Sequence, residues 1–158
     1  MAIEKVRAYF KEYNMENRIL EFPVSSATVE LAAQALGCNP ERIAKTLSFK
    51  VENKAVLIVA AGDAKVDNAK YKAFFHTKAK MLTPEELGAM VGHAPGGVCP
   101  FGIPSEVSVY LDISLKRFET VFPACGSSNS AIELTLPELE KYSQSVQWID
   151  ICKNWQIT

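Results

Sequence analysis

The chain has 158 residues, 48% of them apolar, and a formal net charge of −1. That balance is globular, neither collagen-like nor disordered, and the length allows one domain with a sizeable core. A near-neutral total argues against gripping long nucleic acid by counterion release, and no apolar run approaches the length of a membrane span. The charge is unevenly placed: residues 45–80 carry eight lysines against Glu52, Asp63 and Asp67, while residues 81–158 carry four basic and nine acidic side chains. A basic middle attracts phosphate or is simply a solvated face. The opening MAIEKVRAYFKEY has no signal-peptide core, so a cytoplasmic chain is expected. Cys38, Cys99, Cys125 and Cys152 are widely spaced and form no CxxC pair or zinc array with His76 and His93, so free thiols and no metal are expected.

In chain order, Ile3, Val6, Tyr9, Phe10 and Tyr13 predict an amphipathic helix over residues 2–17. Ile19–Val24 reads as a short strand. Ser26 or Thr28 caps a helix that Gly37 stops. Asn39-Pro40-Glu41 opens another short helix, through Ile43 or Ala44. TLSFKV and AVLIVAAG are strands joined at Glu52-Asn53-Lys54. DNAKYKAFF reads as a helix and Lys78–Leu82 as a short strand. Thr83-Pro84-Glu85-Glu86 starts a helix that ends near Gly92. Strands follow at Val107–Leu111, Phe118–Phe122 and AIELTL, then the helix LPELEKY and an edge strand at Gln147–Ile151. The order predicts an α/β fold of the α+β kind over residues 1–158: a mixed, partly curled sheet or barrel surrounded by helices.

Two loops stand out. Gly96–Pro104, GGVCPFGIP, holds three glycines and two prolines. Glycine lets a ligand approach the main chain, and proline stiffens the path. Pro123–Ser130 holds Gly126 and a run of small polar residues. Each is either a connection or a pocket wall. The chain has no GxGxxG, no GxxxxGK[ST], no HExxH and no GxSxG. Cys99 is a candidate nucleophile only if His76 or His93 lies beside it. Lys45 stands at the mouth of the strand TLSFKV. It is either a snorkelling surface lysine or a cation facing a phosphate or a developing oxyanion, with Thr46 beside it as a hydrogen-bonding group.

GCNPERIAKTLSF, GGVCPFG and ACGSSNSAIELTLPELEKY, in this order, resemble the YbaK/ProX family of stand-alone aminoacyl-tRNA editing domains, relatives of which are inserted in bacterial prolyl-tRNA synthetases. The resemblance runs from about Leu20 to Tyr142. It implies hydrolysis of the ester that joins a wrong amino acid to the 3′ end of a tRNA, with no cofactor. It gives Lys45 the key role and makes Gly97 and Pro100 part of the loop that lines the aminoacyl pocket. With Lys45 as catalytic residue, the expected substrate-binding set is Thr46, Gly96, Gly97, Val98, Cys99, Pro100, Gly126 and Ser127. Two departures stand against the family pattern: Ala131 where cysteine-removing relatives carry aspartate, and Phe122-Pro123 where alanine-removing relatives carry histidine. A small amino acid (alanine, cysteine, serine or threonine) is the expected leaving acid. The expected partners are the aminoacyl-tRNA 3′ end and a synthetase, without DNA or membrane. Two other readings stay open: a non-catalytic module that recruits tRNA or a synthetase, and a hydrolase with Cys99 as nucleophile.

Overall fold

The computed structural model describes residues 2–155. Its centre is a hairpin of two long strands, β2 (Ile43–Val51) and β3 (Lys54–Ala61). Ala55 to Ala61 are buried without interruption, as expected of a strand covered on both faces. Glu52 and Asn53 both take positive φ, 51° and 66°, and make the two-residue turn between them. Around this hairpin a six-stranded mixed sheet runs in the order β8-β6-β2-β3-β5-β9. Its other members are β5 (Ser108–Asp112), β6 (Thr120–Pro123), β8 (Leu134–Thr135) and β9 (Gln147–Ile149). β6 and β5 lie parallel to β2 and β3 respectively, and β9 closes one edge beside β5. Two small antiparallel pairs complete the strands: β1 (Ile19–Glu21) with β7 (Ser130–Ile132), and β4 (Lys65–Val66) with β10 (Cys152–Lys153). Among the described residues five α-helices pack around the curled sheet, in agreement with the mixed α/β fold expected from the sequence.

The helices begin and end on chemical signals. α2 (Val29–Leu36) is capped by the Thr28 hydroxyl and ends at Gly37, φ 68°. α3 (Asn68–Phe75) is capped by Asp67. α4 (Pro84–Met90) and α5 (Leu136–Ser143) both carry a full capping box, Thr83 with Glu86 and Thr135 with Glu138.

Several boundaries differ from the sequence expectation. α1 spans only Ala2–Lys11, because Asn14 turns left-handed (φ 59°) and Met15 folds its N–H back onto the Phe10 carbonyl. Asn39-Pro40-Glu41 opens only a 3₁₀ turn, Pro40–Arg42. Ile43 and Ala44 pair with Phe122 and Pro123 instead of extending a helix, so Lys45 stands inside a strand. Lys78–Leu82 is not a strand: it makes one isolated bridge, Met81 to Phe49. AIELTL breaks at Glu133, and its halves join different sheets. β4 and β10, two residues each, carry no period that a sequence reading can detect.

Candidate functional site

Lys45 and Thr46 leave β2 beside a cavity of about 180 Å³. Thr28 at the start of α2, Gly96 and Val98 of the glycine-rich loop, and Ser130 of β7 close the remaining sides. Most of the wall is apolar, with Val29, Ala32, Ile43, Ala44, Phe122 and Ala131. About 150 Å³ is enough to hold a benzene ring, so the cavity suits a small organic group.

The Lys45 ammonium is half-buried and donates to the main-chain carbonyls of Gly62 (3.3 Å) and Ala64. Burial lowers its pKa from the ordinary 10.5. The carbonyls themselves are pinned. Ala61 N–H donates to the Ser114 hydroxyl at 3.1 Å, and Asp63 pairs with the Arg117 guanidinium, one contact being 2.9 Å. Gly62 permits this arrangement because its backbone lies against Pro40. A Cβ there would sit 2.1 Å from the Pro40 carbonyl oxygen.

The glycine-rich loop alternates in direction. Gly96 and Val98 face the cavity. Gly97 turns the other way, onto the second loop, where a Cβ would lie 2.8 Å from the Ser127 nitrogen. Cys99 and Phe101 are fully buried and fasten the loop to the core, Phe101 against Phe10 of α1 with ring centroids 4.8 Å apart. The second loop is stitched to the chain before α2: Phe22 N–H donates to the Asn129 carbonyl, Asn129 Nδ2 to the Phe22 carbonyl, and Ser26 N–H to the Ser128 carbonyl. Two segments distant in sequence thus form one wall.

Of the residues singled out in the sequence, the structure brings Lys45, Thr46, Gly96 and Val98 to the cavity. Gly97, Gly126 and Ser127 stand behind that wall, on a separate groove. Pro100 lies in another hollow, beside Tyr9 and Tyr142. Cys99 is in the core with His93, Sγ to Nε2 being 3.5 Å, and burial pushes the thiol up to about 12. It reaches neither the cavity nor water, so the pairing with His93 exists but offers no accessible nucleophile. Ser26, Ala27, Thr28 and Val29 also line the cavity, and Gly62 holds Lys45. They carry no motif: in the sequence they mark only a helix start and a strand end. Phe122 and Ala131, noted as departures, both line the cavity.

All four cysteines are free thiols. Among the described residues no group of three or more His, Cys, Asp or Glu is placed to hold a metal, and no helix is long and apolar enough to cross a membrane.

The mixed curled sheet with its surrounding helices is the fold of a known class. Residues 24–142 match the model of the aminoacyl-tRNA editing domain, and the chain belongs to that family. It is 56% identical over 157 residues to the uncharacterized protein YwhH of Bacillus subtilis, covering 99% of this chain and all of that one. It is 31% identical over 137 residues to EbsC of Enterococcus faecalis, assigned as a Cys-tRNA(Pro)/Cys-tRNA(Cys) deacylase, covering 84% of this chain and 79% of EbsC. A proline–tRNA ligase of Geobacillus is 30% identical over 102 residues, 64% of this chain, but the match spans only 18% of the ligase. A solved structure described as a trans-editing enzyme for prolyl-tRNA synthetase superposes with a TM-score of 0.86 at 28% identity, over 96% of this chain and 97% of that one.

Proposed function

We propose that the protein is a trans-editing hydrolase that cleaves the ester of a mischarged aminoacyl-tRNA carrying a small amino acid. The observation that carries this reading is that Lys45 and the loop residues Gly96 and Val98, more than fifty positions further along the chain, line one small cavity. Membership of the editing-domain family and the likeness to EbsC support it.

The chemistry needs little from the protein. An aminoacyl ester is already activated, so water or a group of the substrate itself attacks the carbonyl, and the tRNA ribose hydroxyl leaves. Positioning and charge stabilisation are enough. The aminoacyl group enters the cavity between Ala44, Phe122 and Ala131. The terminal adenosine stays at the mouth, where the Lys45 ammonium faces its phosphate or the developing oxyanion. The Gly62 and Ala64 carbonyls hold that ammonium in place before substrate arrives, so little reorganisation remains. Backbone N–H groups of the glycine-rich loop orient the ester from the opposite side. The partner is the 3′ end of the tRNA, and prolyl-tRNA synthetase is the synthetase whose errors fit the relatives.

Deacylation of a panel of mischarged tRNAs tests the reading. Wild type and Cys99→Ala release amino acid, and Lys45→Ala does not. Absence of turnover on every substrate, or turnover that vanishes only with Cys99, overturns it.

A further inference from the structure

Two exposed lysines stand opposite each other on β4 and β10. These strands pair antiparallel, Val66 with Cys152 and Lys65 with Lys153. Side chains alternate along a strand. Cys152 is fully buried, so Lys65 and Lys153 share the outer face, and both are exposed. Like charges directly opposite one another destabilise a strand pair, and this pair is only two residues long. Among the described residues neither lysine has an ion-pair partner. The acids of this region are engaged elsewhere. Asp67, which lies in the field of Lys153, accepts the Ala69 N–H at 2.9 Å and the Lys70 N–H at 3.2 Å as the cap of α3. Asp150 holds Lys70 at 3.0 Å, and Asp63 holds Arg117 at 2.9 Å.

The lysine pair adjoins the candidate site. Ala64, the residue before β4, gives its carbonyl to the Lys45 ammonium. Burial is the main cause of the lowered Lys45 pKa; the Lys65 charge adds to it, while Cys152, Asp63 and Glu30 act against it. Glu30 is an exposed acid of α2. A polyanion leaving the mouth is therefore repelled at α2 and drawn towards β4 and β10. An adenosine held at the mouth is followed by a strand with one phosphate per nucleotide. We infer that Lys65 and Lys153 together hold backbone phosphates of the single-stranded 3′ end of tRNA, next to the terminal adenosine. The inference rests on the deacylase reading above and extends it from the ester to the strand that carries it. A phosphate between the two ammonium groups cancels their repulsion, so the same pair weakens the free fold and strengthens the complex. Two contacts also suit a chain of net charge −1, which holds the end of an RNA and not its length.

The test compares a mischarged tRNA with the same amino acid esterified to adenosine, which has no phosphate. Both are measured on wild type, the double variant Lys65→Gln/Lys153→Gln, and Lys54→Gln. Lys54 opens β3, at the opposite end of that strand from Ala61, and controls for a general loss of charge. At about 0.15 M salt the double variant should lower kcat/KM on tRNA about 10-fold. It should also flatten the slope of log kcat/KM against log salt by about 1.4, the value of two single-strand phosphate contacts. The adenosine ester should change less than about threefold, and Tm should not fall, because a repulsive pair is removed. No change on tRNA, an equal loss on the adenosine ester, or an equal loss with Lys54→Gln overturns the inference. Binding of uncharged tRNA, followed by fluorescence anisotropy, separates this failure from that of the deacylase reading. If wild type hydrolyses no ester but binds tRNA with a salt slope that the double variant flattens, the lysine surface stands and the deacylase reading fails. Turnover with tRNA binding unaltered in the double variant removes the surface and leaves the deacylase.

Discussion

Gly97 lies flat on the backbone of Ser127. A methyl group at Gly97 would come within 2.8 Å of both the Ser127 nitrogen and its Cα. Backbone atoms cannot rotate away as a side-chain tip can. The two loops behind the cavity are therefore locked by the absence of one carbon, and Gly96 and Val98 inherit their positions from that lock.

Gly97→Ala should part the loops. Overpacking of this kind costs about 1–3 kcal/mol, read as a lower Tm. Because Gly96 and Val98 move with the loop, deacylation should fall about 10- to 100-fold, by the sensitivity of positioned reactions to small displacements. A variant with normal activity and an unchanged Tm would show that the two loops are not coupled.

Lys45→Ala should lower deacylation about 100-fold or more, the usual loss for a group that stabilises charge in the reaction, with little change in fold. The pH profile gives an independent check. Burial depresses the Lys45 pKa below its ordinary 10.5. The ammonium is present at low pH and is lost as pH rises through that depressed value. Catalysis above the spontaneous ester hydrolysis should therefore decline on the alkaline side before a free lysine would titrate. Lys45→Arg, if it retains any turnover, should carry the decline to higher pH. An alkaline limb unaffected by the arginine would dissociate it from Lys45.

Cys99→Ala should keep deacylation within about threefold and cost about 1 kcal/mol of stability, an ordinary core effect. The Cys99 thiol is fully buried and raised to about 12, so a thiol reagent should not modify it in the native state. Rapid native labelling of Cys99 with parallel loss of activity would contradict this.

The helix caps predict an acid response. The Glu138 carboxyl is held at about 2, chiefly by the hydrogen bond from Arg18, and Glu86 likewise by Lys50. A carboxylate with a depressed folded pKa contributes its stability above the ordinary value of 4.5 and loses it as pH falls through 2. Glu138→Gln should therefore be less stable than wild type at neutral pH, and the difference should close towards pH 2. Thr135→Ala removes the other half of the same box and should cost about 1 kcal/mol. A pH-independent gap for Glu138→Gln would show that its charge contributes nothing.

The sequence by itself determined the elements that rest on local chemistry. Thr28 and Thr83 cap helices because their hydroxyls reach N–H groups three residues on, and Gly37 ends one because it takes a left-handed turn without strain. The long alternating or apolar runs of β2 and β3, and the order of motifs that marks the editing family, were equally legible. Tertiary structure alone decided where the helix after Pro40 gives way to a strand. Ile43 and Ala44 become strand only because β6 and β3 offer ladder partners, and that pairing puts Lys45 beside the cavity. It alone decided which residues of GGVCP face the cavity. Gly96 and Val98 point to the cavity, while Cys99 is drawn into the core by Phe101 and His93. It also decided the carbonyls that hold Lys45 and the pairing that sets Lys65 opposite Lys153. Both depend on contacts between segments far apart in the chain, and such contacts leave no periodicity for a sequence to display.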